Sequence, residues 1–120
     1  MRPTTLLGTL FSFLVVIGTA AAHASLDRSN PRAGDAVRTP PHEVTLWFTQ
    51  DLEPAFSTVE VSDASGTRVD TGKPIVGGDD RKIMRIAVKP LTPGTYKVSW
   101  RVLSIDTHTT EGTFTFRVDE

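Results

Sequence analysis

Three residues of this 120-residue chain carry side chains that could together bind a metal ion: His23, Asp106 and His108. Asp106 and His108 stand just past an apolar run that ends near Leu103. Residues two apart in an extended chain project to the same side, so this spacing predicts that a carboxylate and an imidazole point the same way. The same pair is also typical of a solvated loop at a strand end, and it is His23 that favours a metal site.

The first 22 residues are typical of a secretion signal. Arg2 precedes an apolar run over residues 6–17, and small residues follow this run directly. The run is too short to span a bilayer comfortably. Cleavage after Ala22 would make His23 the first residue of the exported protein, although cleavage after Ala21 satisfies the same small-residue rule.

A histidine at the amino terminus offers two nitrogen donors, the α-amine and the ring Nδ1, which can close a chelate ring on one metal ion. His108 would add a third nitrogen, and Asp106 would add an anionic oxygen. The chain has no cysteine, so neither a thiolate site nor a disulfide is available. Nitrogen and oxygen donors in a tetragonal arrangement favour Cu(II), with zinc and nickel as competitors. The sequence therefore predicts one Cu(II) ion per chain, bound by His23, Asp106 and His108.

Four other residues with chemically useful side chains are assigned less direct roles. His42 follows two prolines and is interpreted as a surface loop residue. Trp47 and Trp100 are interpreted as core or sheet-face aromatic residues. Glu111 is either a solvated loop acid or a residue that accepts a hydrogen bond from a ligand imidazole.

These residues must be positioned by strands, because apolar and polar residues alternate in five runs. The apolar positions of the runs are Val44, Leu46 and Phe48; Val59 and Val61; Met84, Ile86 and Val88; Tyr96, Val98, Trp100 and Val102; and Phe114, Phe116 and Val118. Short antiparallel strands with one apolar face each pack most simply as two sheets. The sequence predicts an all-β fold, a seven-strand Greek-key β-sandwich, with an open barrel as the alternative architecture.

Length and charge restrict the classes of partner. Residues 1–22 are assigned as a cleaved signal peptide and residues 23–120 as one domain. Arg2 is the only basic residue of the leader, so 12 basic and 14 acidic residues remain, a net charge of −2 with neutral histidines. No concentrated positive patch is visible, so we do not expect nucleic acid or an anionic membrane surface as a partner. No second apolar run of membrane length follows the leader, so we expect no membrane insertion after cleavage.

Several segments resemble the CopC family of bacterial copper-resistance and copper-uptake proteins, over the whole length of residues 23–120. The most specific segment runs from Tyr96 to Val102 and continues through Ser104-Ile105-Asp106-Thr107-His108 to Gly112-Thr113-Phe114. The other matching pieces are His23-Ala24-Ser25-Leu26, Ser29-Asn30-Pro31 with Gly34, residues 41–48 and Leu91-Thr92-Pro93-Gly94-Thr95-Tyr96.

The resemblance implies a cupredoxin-like or Ig-like β-sandwich with a Cu(II) site made of the terminal amine, His23, Asp106 and His108. It further implies a periplasmic carrier or buffer in copper resistance or uptake, with no enzymatic turnover. An inner-membrane copper transporter called CopD is the partner that the resemblance implies.

One departure from the family pattern concerns sulfur ligands. Some members carry a methionine-rich loop that binds Cu(I) through thioethers. Here Met1 would leave with the leader, and only Met84 remains, within an alternating strand. Because Cu(I) prefers soft sulfur donors, the chain is similar to the Cu(II)-only members.

Two other functions fit parts of the sequence. Lytic polysaccharide monooxygenases also bind copper through an amino-terminal histidine and a second histidine, but that chemistry needs an open coordination position and a flat substrate surface. About a hundred residues leave little room for the loops that would build such a surface. A metal-free adhesive sandwich would fit the strands equally well, but it would leave the terminal histidine without a role.

Overall fold

The structure, a computed structural model, describes residues 23–120. The predicted signal peptide lies outside the described residues. In the described part, the alternating runs form strands. The strands are β1 Leu26–Asn30, β2 Ala36–Val37, β3 Glu43–Phe48, β4 Thr58–Asp63, β5 Ile75–Val76, β6 Ile83–Ala87, β7 Gly94–Leu103 and β8 Thr109–Val118, with a 3-10 turn at Pro54–Phe56 between β3 and β4.

The strands form two four-stranded sheets. The first sheet has the order β1-β3-β6-β5 and the second has the order β2-β8-β7-β4. Most neighbouring strands are antiparallel, and β2 pairs in parallel with the end of β8. The predicted β-sandwich is confirmed, and the open barrel is not what forms. The described residues form eight strands where the sequence predicted seven. The five alternating runs correspond to β3, β4, β6, β7 and β8, whereas β1 contains a single apolar residue and β2 and β5 contain two residues each.

The core lies between the two sheets and contains the apolar residues that alternation had identified. Leu46 and Met84 on the first sheet face Val61, Val98 and Phe116 on the second, and all five are fully buried or nearly so. Burial of these side chains is the main favourable contribution to folding. In residues 23–120, no helix is long and apolar enough to cross a membrane.

Four chain segments meet at one end of the sandwich: residues 23–25, 49–57, 77–82 and 104–108. We call this end the metal end because it contains the three predicted ligands. They are joined by backbone hydrogen bonds. Thr49 N–H donates to Ser25 O at 2.9 Å, Leu52 N–H donates to Arg81 O at 3.0 Å, and Ile105 N–H donates to Asp51 O at 3.1 Å. The strands thus fix the relative positions of loops that are far apart in the sequence.

Asp70 joins the loop after β4 to both sheets. Its side chain is 1% exposed and accepts hydrogen bonds from the Val61 and Gly72 N–H groups at 2.7 Å each and from the Arg68 guanidinium at 2.8 and 3.2 Å. Its backbone pairs with Val88, just after β6. Burial alone would raise the pKa of Asp70, but the hydrogen bonds and the charge of Arg68 outweigh burial and hold the pKa below the usual 3.8.

Replacing Asp70 with alanine should lower the free energy of unfolding at neutral pH by at least about 2 kcal/mol, because two backbone N–H groups would lose a buried acceptor. The pKa of Asp70 is lower in the folded than in the unfolded protein. Its contribution is therefore complete above 3.8 and is lost as the pH falls through the folded value. The stability difference between wild type and variant should shrink on acidification.

Urea unfolding at a series of pH values measures this difference. The exposed Asp79→Ala is the matched control and should have little effect at any pH. A difference for Asp70→Ala that stays constant down to strongly acidic pH would contradict the assigned role of the carboxylate.

Candidate metal centre

A tight turn between β7 and β8 carries Asp106 and His108. Thr107 N–H donates to Ser104 O at 2.9 Å, and Ser104 N–H donates to His108 O at 3.0 Å. Thr107 has a φ of 71°, in the left-handed region that residues other than glycine seldom adopt. The turn brings the two candidate ligands together, so that Asp106 Oδ1 lies 3.5 Å from His108 Nδ1.

The sequence predicted this proximity for the wrong reason. The prediction assumed an extended chain in which residues two apart face the same side. In the structure, Asp106 and Thr107 are part of a turn and lie outside β7 and β8. The two side chains meet because the chain reverses direction between β7 and β8.

The buried hydroxyl group of Ser104 fixes the base of this turn. Ser104 is fully buried; its Oγ donates a short hydrogen bond to Asp106 Oδ1 and accepts the His108 N–H at 3.3 Å. The hydrogen bond from Ser104 is the main cause that lowers the pKa of Asp106 below 3.8, and the contact with His108 adds to it. Asp106 is therefore an anion at neutral pH, with an imidazole beside it.

His23 lies at the same end of the sandwich, next to His108. The two ring centroids are 4.6 Å apart, and the ring planes make an angle of 85° in an edge-to-face arrangement. His23 is exposed, whereas the following residue, Ala24, is fully buried in the core. The structure thus brings His23, Asp106 and His108 to one place on the surface.

The three side chains do not form a preassembled metal cage. Within residues 23–120, no three His, Cys, Asp or Glu side chains are arranged so that they could hold a metal ion as they stand. The two imidazoles pack edge to face, so simultaneous coordination would require the exposed ring of His23 to turn. In the full 120-residue chain the nitrogen of His23 is a peptide nitrogen, which becomes an amine only when the chain is cut before it.

Two other candidate residues lie apart from this cluster. His42 is exposed and precedes β3, whereas the metal end lies beyond the other end of that strand, about 20 Å away for six extended residues. The Glu111 side chain is 73% exposed and lies 3.9 Å from the Arg101 guanidinium across the β7–β8 pair. It is thus a solvated acid paired with arginine, not an acceptor for an imidazole.

Both tryptophans have structural contacts. Trp47 is half-buried, and the Arg28 guanidinium lies 4.3 Å from its ring centroid. Trp100 packs edge to face on Phe48, with ring centroids 5.1 Å apart. It also covers Gly112, where a Cβ atom would stand 2.6 Å from the Trp100 ring. These contacts agree with the interpretation of both residues as sheet-face aromatics.

Sequence reasoning missed three hydroxyl residues that hold the candidate ligands: Ser104, Thr49 and Thr110. Thr110 Oγ1 donates to the Ala24 carbonyl oxygen at 2.6 Å, and Thr49 Oγ1 accepts the Ser25 N–H at 3.0 Å. The one available signal was a polar residue at position 110, in phase with the inward-facing Phe116 and Val118 of the same strand.

Comparison with known proteins gives a consistent result. The chain matches the CopC domain family over residues 26–119. The copper transport protein CutJ of Bacillus subtilis (strain 168) is 31% identical over 111 residues, which cover 91% of this chain and 20% of CutJ. The chain therefore spans about a fifth of the length of that relative.

Two crystal structures are similar over most of the chain. CopC from Methylosinus trichosporium OB3b is 34% identical, with a TM-score of 0.76, over 81% of this chain and 94% of that chain. PcoC, a methionine-rich copper resistance protein from Escherichia coli, is 35% identical, with a TM-score of 0.71, over 82% of this chain and 100% of that chain. The family match and these similarities confirm the resemblance that the sequence indicated. The chain belongs to the CopC family, and the relatives it matches are named for copper resistance and copper transport.

Proposed function

We propose that this protein is an exported Cu(II)-binding protein that holds one ion through His23, Asp106 and His108, with the α-amine of His23 as a further donor. It would act in the periplasm as a copper carrier or buffer in copper resistance or uptake. The observation that supports this proposal most strongly is the approach of the His23 and His108 rings to 4.6 Å beside an anionic carboxylate.

The spacing of Asp106 and His108 is suitable for two ligands of one ion. Metal–nitrogen and metal–oxygen bonds are about 2.0–2.2 Å long, so neighbouring ligands of one ion stand about 3 Å apart. The observed separation of 3.5 Å between Asp106 Oδ1 and His108 Nδ1 is close to this value. A cation would also relieve the charge of the Asp106 carboxylate, which is half-exposed and available to it.

The amine donor of His23 depends on cleavage of residues 1–22. Cleavage after Ala22 would free the α-amine beside the imidazole of the same residue, and the two would close a chelate ring. Because His23 is exposed, its ring can turn towards His108 without disturbing the core. Three nitrogen donors and one oxygen donor form a set that favours Cu(II).

The same residues favour Cu(II) over Cu(I). The only methionine in residues 23–120 is Met84, and it is 0% exposed in the core, so its sulfur is not accessible to an ion at the metal end. PcoC, by contrast, is described as methionine-rich. Without accessible thioethers, the site is suited to the harder, oxidised ion.

Binding without turnover is the role that this site fits best. We propose that the protein exchanges copper with an inner-membrane transporter of the CopD type. In CutJ the similar region makes up a fifth of a much longer copper transport protein, and this arrangement is consistent with such a partnership.

Installing an acetyl group on the α-amine of His23 in the mature protein should weaken Cu(II) binding by more than about a hundredfold, because the amine would become an amide and the chelate ring would be lost. Calorimetric competition against a chelator of known affinity measures the change. The protein prepared by the same route with a free α-amine is the matched control and should bind as the wild type does. Equal affinities for the acetylated and the free protein would refute coordination by the terminal amine.

Substituting His108, Asp106 and His42 singly should rank the ligands. His108→Ala should weaken Cu(II) binding more than about a hundredfold. Loss of a residue that only orients a ligand typically costs about 10–100-fold. Asp106→Asn should cost less, because an oxygen donor remains and only the anionic charge is lost. His42→Ala, at the far end of β3, should have no measurable effect, and a greater loss from His42→Ala than from His108→Ala would show that the site lies elsewhere.

A further inference from the structure

The segment that carries His23 is held between the two sheets by threonine hydroxyl groups. Thr110, on β8 of the second sheet, donates its hydroxyl hydrogen to the Ala24 carbonyl oxygen at 2.6 Å. Thr49, directly after β3 of the first sheet, accepts the Ser25 N–H with Oγ1 at 3.0 Å. Each sheet thus contributes one side chain to the position of residues 23–25.

Thr110 is unusual for its place in β8. It has the inward-facing phase of Phe116 and Val118, which are buried core residues, and it is itself half-buried. Valine has nearly the same shape and would suit this position by packing alone. The hydroxyl group meets a specific need, because Ala24 is fully buried and its carbonyl oxygen requires a donor there.

The hydrogen bond between Thr110 and Ala24 joins the two halves of the candidate metal centre. His23 immediately precedes Ala24, and His108 lies two residues before Thr110 on the same chain segment. A fixed contact between Ala24 and Thr110 therefore restricts the distance between the two imidazoles. Chain ends fray unless they are tied down, and residues 23–25 precede the first strand.

We propose that Thr110 is a positioning residue for copper binding: its hydroxyl group holds the terminal segment so that His23 stands beside His108 before the ion arrives. This inference rests on the proposed function, since it assigns to Thr110 the preorganisation of that same site. Without the hydroxyl group, the ion would have to order the terminal segment as it binds, and this ordering would reduce the affinity. The hydroxyl group of Thr49 contributes less to this positioning, because the backbone N–H of Thr49 also donates to Ser25 O and would still do so without the hydroxyl group.

The test is Cu(II) affinity by calorimetric competition in the mature protein, with Thr110→Val as the main variant. We expect a loss of about tenfold, since the chelating residues remain and only their preorganisation is removed. Thr110→Ser keeps the hydroxyl group and should restore most of the affinity. Thr113→Val is the matched control, an exposed threonine on the same strand, and should bind as the wild type does.

A second arm separates positioning from a general structural effect. In a background that removes both donors of residue 23, His23→Ala with an acetylated terminal amine, Thr110→Val should change the Cu(II) affinity less than about twofold, because the residue that Thr110 positions would no longer bind the ion. If Thr110→Val does not fold, as judged by circular dichroism, Thr49→Val carries the same test with a smaller expected loss.

The outcomes are distinguishable. If acetylation of the α-amine weakens binding but Thr110→Val matches Thr113→Val, the positioning role is wrong and the terminal site stands. An equal loss from Thr110→Val with and without the donors of residue 23 would also overturn the inference. If acetylation itself has no effect, coordination by the terminal amine fails.

Discussion

The burial of Ala24 is the constraint on which the metal end of this protein depends. The side chain of Ala24 is 0% exposed and belongs to the core. The chain must therefore enter the core at Ala24 before it continues into β1. His23 is then one residue from a fixed point, and its direction of approach is set by the sandwich. A histidine that sequence alone would leave as a frayed end therefore lies against His108.

Asp106 and His108 are likewise attached close to a buried residue, Ser104. Ser104 is fully buried, and its hydroxyl group contacts both the Asp106 carboxylate and the His108 backbone. The candidate donors are thus exposed side chains attached close to buried residues, Ala24 on one side and Ser104 on the other. Such an arrangement keeps the donors accessible to an ion while it limits the conformational freedom that binding would have to remove.

Local patterns predicted the parts of this structure that depend on one strand at a time. Alternation found the residues of β3, β6 and β7, because each strand buries one face and period-two patterning reports that face. It missed β1, in which Leu26 is the single apolar residue. It also missed β2 and β5, which consist of two residues each and exist only through their neighbours' hydrogen bonds. The pairing of Asp106 with His108 was predicted from an extended chain, whereas a turn with a positive φ at Thr107 produces it.

The roles of Thr49, Thr110 and Ser104 could not be predicted, because each depends on contacts between segments distant in the sequence. Donor chemistry and the position of the leader identified His23, but only the sheet register decides which loop it meets. Thr110, for example, contacts Ala24 across 86 sequence positions. The chemistry of a site can be inferred from its residue types, whereas the residues that hold it in place require the fold.

Coordination of copper by the amine of His23 can be observed directly by pulsed electron paramagnetic resonance. The mature protein would be prepared with the heavy nitrogen isotope only at the α-nitrogen of histidine and loaded with one equivalent of Cu(II). Of the labelled positions, only that of His23 would be an amine; those of His42 and His108 are peptide nitrogens. The strong hyperfine coupling of a directly bound nitrogen should change to that of the heavy isotope. A spectrum identical to that of the unlabelled protein would show that the terminal amine does not bind the metal.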